Sequence, residues 1–301
     1  MDIVLLASAL IPAIVLMVYV YSRDKVEREP AGLVARVFFI GAASGIVAGI
    51  VESILIDTLE ALLPAGMLLL VIEYFICVAA VEELCKFASL NTVKKNPAFD
   101  YVFDAVVYSV AAALGFAALE NVFYVFDGGL ETALMRAILS VPGHAADGVV
   151  MGVFYGIARR HELHGRKGAA KVHYCLAILL PTVEHGFYDM ALSMESDFMA
   201  FVAIIFDLVF VIVAFVLVKR TAAKDAPLHP VGAAQGSSVQ APSYTPTPVV
   251  PQAVRPPAQP TMPAQPTLSQ QPGQSSSTWS CPSCGTSNAG NFCVNCGQKR
   301  P

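Results

Sequence analysis

Five ionisable residues stand in segments of the sequence that are otherwise strongly apolar. They are Glu82, Glu83, Glu120, His144 and His185. Carboxylates and imidazoles are groups that activate a water molecule for attack on a carbonyl, either as a general-base pair or by holding Zn²⁺. An ionised side chain costs roughly 2.5–3.5 kcal/mol at the centre of a membrane helix. We therefore expect these residues to face one another or a water-filled cavity.

The stretch "VEELCKFASL" adds a lysine to the first two carboxylates. Lys86 lies four residues after Glu82 and three after Glu83, and both spacings place side chains on neighbouring parts of a helix surface. The two glutamates are adjacent and diverge by about 100° around the helix. We expect one of them to hold Lys86 while the other faces a site. The alternative is a buried ion pair with a spare carboxylate and no chemistry.

Three further motifs carry polar residues. In "FAALEN", the Asn121 amide next to Glu120 could donate to an oxyanion, or could form only an interhelical hydrogen bond. In "HAADG", Asp147 follows His144 by three residues, and in "HGFYD" a second aspartate follows the second histidine by four. A carboxylate at either spacing can orient an imidazole ring. Taken singly, each histidine could equally be a packing residue. The second aspartate is Asp189.

The elements that must position these residues are membrane helices. The chain has 301 residues, of which 55% are hydrophobic and only 14% charged, whereas soluble domains have about a quarter charged residues. This composition predicts an all-α polytopic membrane bundle over residues 1–222. Seven apolar stretches are long enough to cross a bilayer. They cover residues 2–22, 33–57, 67–92, 102–126, 132–158, 172–193 and 198–218.

Positive charges predict the orientation of the bundle. Lysine and arginine are concentrated in the first, third and fifth connections and after the last helix, while the second and sixth connections hold none. Because positive loops stay on the cytoplasmic side, we expect the N-terminus outside and the C-terminal tail in the cytoplasm. The expected location is the cell membrane.

The composition changes after the bundle. Residues 223–279 are rich in Pro, Gln, Ser and Thr and nearly free of charge, which predicts a disordered linker. Residues 280–301 contain two C-x2-C pairs, the pattern of a zinc ribbon whose four thiolates hold a structural zinc and leave no open position. We expect the ribbon to bind a cytoplasmic partner of unknown identity, and no nucleic acid is predicted. The zinc ligands would be Cys281, Cys284, Cys293 and Cys296.

Taken together, the four membrane motifs resemble those of a known family. "EELCK" resembles the EExxK motif of the PrsW intramembrane protease family, and "FAALEN" resembles its FxxxEN motif. "HAADG" and "HGFYD" resemble its two histidine motifs, in the same order and on successive predicted helices. The resemblance covers about residues 1–220. The family is in turn similar to the type II CAAX prenyl endopeptidases.

The resemblance implies endopeptidase activity within the bilayer on a membrane-anchored protein, such as an anti-sigma factor. It also implies that His144 and His185 bind water or a catalytic zinc, and it leaves metal-dependent and metal-free chemistry open. The residues it carries over as catalytic are Glu82, Glu83, Glu120, Asn121, His144 and His185, with Lys86, Asp147 and Asp189 in support.

Two other classes of protein could use the same residues. A proton-coupled transporter also pairs carboxylates with histidines. Many such transporters contain an inverted repeat, but the motifs and the Pro and Gly positions of predicted helices two to four do not recur in helices five to seven. A catalytically inactive scaffold could use the ribbon as its interaction module, although the motifs are intact.

Overall fold

The computed structural model of the protein describes residues 3–229, 279–280, 282 and 287–288. The four cysteines predicted to hold structural zinc and most of the predicted linker lie outside these residues, so both stay predictions. Residues 3–229 form eight α-helices and one π-helical segment. In chain order these are α1 (Ile3–Arg23), α2 (Ala31–Leu62), α3 (Met67–Ile72), the π-helical segment (Glu73–Ala79), α4 (Ala80–Asn91), α5 (Val102–Ile138), α6 (Ser140–Leu163), α7 (Lys167–Ser193) and α8 (Asp197–Ala223).

The described C-terminal residues form two short strands. These are β1 (Trp279–Ser280) and β2 (Ser287–Asn288), which pair in antiparallel fashion with Trp279 opposite Asn288.

Within residues 3–229, four helical stretches are long and apolar enough to cross a membrane: Ile3–Arg23, Ala31–Leu62, Val102–Leu163 and Asp197–Ala223. The first two and the last leave many large apolar side chains exposed, as lipid-facing helices do. The chain is therefore a helical membrane protein, which confirms the predicted fold class. The number of seven spans stays a prediction.

The first part of α5 is the centre of the bundle. Every residue from Val102 to Ala118 is buried, and this run packs against α1, α2, α4, α6 and α8. A helix that is apolar on all sides requires neighbours on all sides, and "VVYSVAAALGFAA" has that composition.

Glycines allow α2 and α5 to approach closely. A Cβ atom added at Gly41 would overlap the backbone carbonyl of Ala112, and one added at Gly115 would overlap that of Phe38. Small residues at such positions let membrane helices pack backbone to backbone. By contrast, nothing lies within 4 Å of a Cβ placed at Gly49.

The break between the fourth and fifth predicted helices differs from expectation. The sequence predicts helices over 102–126 and 132–158, whereas α5 continues to Ile138 with a break at Gly129, whose φ is 72° and ψ −158°. The helix that carries His144 begins only at Ser140. Pro142 is thus in the first turn of α6, where a missing amide proton costs nothing. A proline within this helix would be expected to kink it just before His144, but that expectation is wrong because the helix starts in the turn that contains Pro142.

The N-terminal end of α5 is hydrogen-bonded to the segment that follows α8. The amide of Leu228 donates to the carbonyl of Asp100 at 2.7 Å, and the amide of Phe103 donates to Asp225 Oδ1 at 2.9 Å. Asp104 Oδ2 accepts the amide of Asp100 at 3.0 Å. A carboxylate at this position stabilises the first turn of the helix.

Candidate active site

Most of the predicted site residues converge on one cavity of about 1240 Å³ inside the bundle. It is larger than the usual small-molecule pocket of about 300–1,000 Å³. Its wall is formed by α2, the π-helical segment and α4 to α8. The predicted residues that line it are Glu82, Glu120, His144, Asp147, His185 and Asp189.

Lys86 is fully buried next to this wall and contacts three polar groups. Its Nζ lies 3.2 Å from Glu82 Oε2, 2.7 Å from Glu83 Oε1 and 3.0 Å from His144 Nδ1. The expectation that Lys86 would hold one glutamate and leave the other free is therefore wrong. The two glutamates differ in position instead, because Glu82 lines the cavity while Glu83 is completely buried behind it.

His185 is held between carboxylates. Its Nδ1 lies 3.1 Å from Glu83 Oε1, and its Nε2 lies 3.1 Å from Asp189 Oδ2 and 3.8 Å from Glu82 Oε2. The contact with Asp189 has the geometry that the four-residue spacing predicts. One ring nitrogen therefore faces the buried glutamate and the other faces residues that line the cavity.

His144 is held differently from the prediction. Its Nε2 lies 2.8 Å from Glu120 Oε2, and Lys86 contacts its other nitrogen. Asp147 was expected to orient this ring, but the contacts of both ring nitrogens are to other residues. Asp147 instead points toward Glu83 and His185, and its Oδ1 is buried without a hydrogen-bond partner. The reason is that α6 packs Gly148 against α5, which turns Asp147 to the opposite side of the cluster.

Arg136 is a site residue that the sequence did not reveal. Its Nη2 lies 3.0 Å from Glu120 Oε2, and its Nε donates to Asn121 Oδ1 at 2.8 Å. Asn121 Nδ2 donates to the carbonyl of Ala9 at 2.8 Å. Both ends of the Asn121 amide are thus occupied, and Asn121 is not among the residues that line the cavity.

The contact between Glu120 and Arg136 requires the chain to turn. In a straight helix these residues would be about 24 Å apart along the axis, far beyond the reach of their side chains. The break at Gly129 folds the last part of α5 back toward Glu120. The pair Gly128–Gly129, followed by an arginine in an apolar segment, is the only sequence signal of this arrangement.

Other carboxylates also line the cavity, and two of them, Glu52 and Glu184, were not singled out from the sequence. Glu52 on α2 and Glu184 on α7 both do so, and Asp207 on α8 faces the same space. Asp207 Oδ1 would lie 2.9 Å from a Cβ placed at Gly143, so the glycine makes room for it. The cost of a carboxylate in an apolar helix is the signal that could have identified Glu52.

The residues present fit a metal ion. Glu82, His144 and His185 each offer a ligand atom, and these atoms lie within 4.8 Å of one another. Two imidazoles and one carboxylate are a donor set of catalytic zinc sites, which keep a further position for water. Glu83 contacts His185 Nδ1 from behind, and a carboxylate in this position orients a metal-binding imidazole.

The chain is similar in sequence to known proteins. The family described as PrsW family intramembrane metalloprotease matches residues 29–218. Protease PrsW of Halalkalibacterium halodurans is 33% identical over 217 residues, which cover 71% of this chain and 95% of the relative. Those of Oceanobacillus iheyensis and Bacillus subtilis are each 32% identical over 195 residues, 64% of this chain and 85% and 84% of the relatives. No solved structure matches the chain.

The matched region contains all four motifs and every residue that lines the cavity. The alternatives of a transporter and of an inactive scaffold are not favoured by these matches. With its helical bundle and its Glu/His cluster, this chain belongs to the PrsW family of intramembrane metalloproteases and is a membrane protease.

Proposed function

We propose that the protein hydrolyses peptide bonds of membrane-anchored proteins in the cavity, with Glu82, His144 and His185 as ligands of a zinc ion. The observation that carries this proposal is the meeting of one carboxylate and two imidazoles, from α4, α6 and α7, at a cavity inside a membrane bundle. Imidazole nitrogen and carboxylate oxygen together suit zinc better than the oxygen-preferring Mg²⁺ or Ca²⁺. When bound, zinc would polarise the attacking water and the scissile carbonyl.

The buried residues behind the site contact the two rings. Glu83 accepts the Nδ1–H of His185, so the Nε2 lone pair of His185 is left on the cavity side. The Lys86 ammonium has only donors, so His144 Nδ1 accepts from it, and His144 would have to give up this contact to bind zinc through Nε2. Lys86 also offsets part of the negative charge of Glu82 and Glu83. Without it, two adjacent carboxylates would stand in a region of low dielectric constant, which is strongly unfavourable.

Glu120 is the proposed general base. It lines the cavity, is partly exposed to it, and is not needed as a ligand. It would take the proton of the attacking water and pass it to the leaving amine. Arg136 and Asn121 hold Glu120 in place, so we assign Asn121 to positioning rather than to the oxyanion. Asp189 supports His185.

The proposed substrate is a single-span membrane protein, with regulators of the anti-sigma type as the example that the family resemblance implies. The cavity has both acidic and large apolar lining residues, and α2, α5, α6 and α8, which form part of its wall, are long and apolar enough to cross a bilayer. We further propose that the protein resides in the cell membrane with its C-terminal tail in the cytoplasm. There the zinc ribbon of residues 280–301 would bind its unidentified partner.

Cleavage of a co-expressed, doubly tagged single-span substrate tests this proposal. Glu82→Gln and His185→Ala should reduce cleavage below detection while expression stays normal. Glu60→Gln, an exposed glutamate of α2, is the matched control and should cleave as the wild type does. Full activity in both site variants would exclude the proposed chemistry.

Zinc content tests the ligand assignment separately. The purified full-length protein should contain two zinc ions per chain. His144→Ala should lose one and Cys281→Ser should lose the other. An active protein whose zinc content is unaffected by His144→Ala would refute the assignment of His144 as a ligand.

A further inference from the structure

A cluster of three carboxylates lies at the N-terminal end of α5, away from the active site. It consists of Asp24 and Glu29, from the connection between α1 and α2, and of Asp104, from the first turn of α5. Their exposed fractions are 1%, 3% and 1%. One carboxylate oxygen from each lies within 4.8 Å of the others. Asp104 is about 24 Å from Glu120 along the helix axis, so this cluster is separate from the active site.

The cluster has little to balance its charge. Within residues 3–229, none of the ion pairs involves Asp24, Glu29 or Asp104, although nine ion pairs form elsewhere in that range. The Tyr108 hydroxyl donates a hydrogen bond to Glu29, and the amide of Tyr101 donates one to Asp104 at 2.6 Å. Glu29 and Asp104 also share a side-chain hydrogen bond, which takes up one proton, and Arg28 lies close enough to attract Asp24. The negative charge that remains has no ion-pair partner within residues 3–229.

Asp24 supplies an independent sign that a ligand is required. Its Oδ2 is buried and has no hydrogen-bond partner, while Asp24 as a whole contributes a ligand atom to the cluster. A buried carboxylate oxygen without a donor is strongly unfavourable. A bound water or ion is one of the explanations for such an atom in a native protein, and three carboxylates beside it favour a cation.

We propose that Asp24, Glu29 and Asp104 form a binding site for a hard divalent cation of the Ca²⁺ class. The donors are all oxygens, which such cations prefer, and Ca²⁺ binds oxygen at about 2.3–2.6 Å. Ligand atoms on one ion would then be at most about 5 Å apart, and the three oxygens lie within 4.8 Å of one another. The donor set differs from that of the active site, which includes imidazole nitrogens.

The bound cation would join three parts of the chain. Asp24 and Glu29 lie in the connection between α1 and α2, and Asp104 lies on α5. The start of α5 is in turn held by Asp225 through the amide of Phe103. The site would therefore fix the connection against the helix whose middle carries Glu120, and would contribute stability rather than chemistry.

Direct Ca²⁺ binding tests the site. The probe is ⁴⁵Ca²⁺ in equilibrium dialysis against the purified full-length protein, with zinc present to occupy the nitrogen and sulfur sites. The wild type should bind one Ca²⁺ per chain, and Asp24→Asn and Glu29→Gln should each bind at least tenfold more weakly. Asp127→Asn, an exposed aspartate on α5, is the matched control and should bind as the wild type does.

Thermal unfolding distinguishes a cation from shared protons and remains informative if one variant fails to fold. If a cation holds the cluster, dialysis into calcium-free buffer that contains zinc should lower the unfolding midpoint of the wild type and Ca²⁺ should restore it, whereas Glu29→Gln should respond to neither. If protons alone balance the charge, the neutral isosteres should be at least as stable as the wild type, and removal of Ca²⁺ should have no effect. Neutral isosteres that are at least as stable as the wild type would overturn the proposal. So would a wild type that binds Ca²⁺, Mg²⁺ and Mn²⁺ no more strongly than Asp24→Asn does.

Discussion

Replacing Lys86 by methionine should destabilise the bundle and abolish cleavage. The ammonium group makes contacts of 3.2, 2.7 and 3.0 Å with Glu82, Glu83 and His144, and it is fully buried. Methionine fills a similar volume but leaves the completely buried Glu83 without its cation. Removing one partner of a buried ion pair costs about 3–5 kcal/mol, and we expect a loss of unfolding free energy in that range.

The measurement is reversible unfolding in mixed detergent micelles, together with the substrate-cleavage assay. Lys94→Met is the matched control, because Lys94 forms a partly exposed pair with Glu162 at 3.1 Å, and such pairs contribute at most about 1 kcal/mol. The double variant Glu83→Gln/Lys86→Met should regain up to about 3 kcal/mol, since the stranded carboxylate is gone. If Lys86→Met costs no more than Lys94→Met and still cleaves substrate, the assignment of a charge-balancing role to Lys86 is refuted.

Three further results are expected. Arg136→Gln should lower the cleavage rate by about 10- to 100-fold through misplacement of Glu120, with the unfolding midpoint nearly unchanged; a wild-type rate would show that Arg136 does not position the base. Gly41→Ala should cost about 1–3 kcal/mol of unfolding free energy, because the new methyl group would overlap the Ala112 carbonyl, whereas Gly49→Ala, which has space, should be neutral; equal effects would contradict the close packing of α2 and α5. Treatment with a zinc chelator such as phenanthroline should stop cleavage and added zinc should restore it, and an unaffected rate would argue against a catalytic metal.

Local spacing explains what could be predicted from the sequence. The three- and four-residue intervals around Lys86 and His185 correspond to contacts in the structure because helical geometry is the same in any fold. The free energy cost of charges in apolar helices likewise predicts that Glu82, Glu120 and the histidines meet. Neither inference requires knowledge of how the helices pack.

The remaining features depend on tertiary packing. Arg136 reaches Glu120 only because the chain turns at Gly129, and no periodicity in the sequence specifies the direction of that turn. Asp147 has the correct spacing to orient His144, but the packing of α6 on α5 rotates it to the other side. Glu52 is separated from the motifs by the whole connection between α2 and α3, so only the three-dimensional arrangement places it at the cavity.

The π-helical segment Glu73–Ala79 determines which face of the following helix, α4, is turned toward the cavity. Each amide in such a segment bonds to the carbonyl five residues earlier, so a turn takes up more residues than an α-helical turn. Deleting one residue there would rotate α4 by about 100° relative to α3. Glu82 would then leave the cavity although every residue of the site was unchanged. The site therefore requires the length of this segment as well as the presence of Glu82.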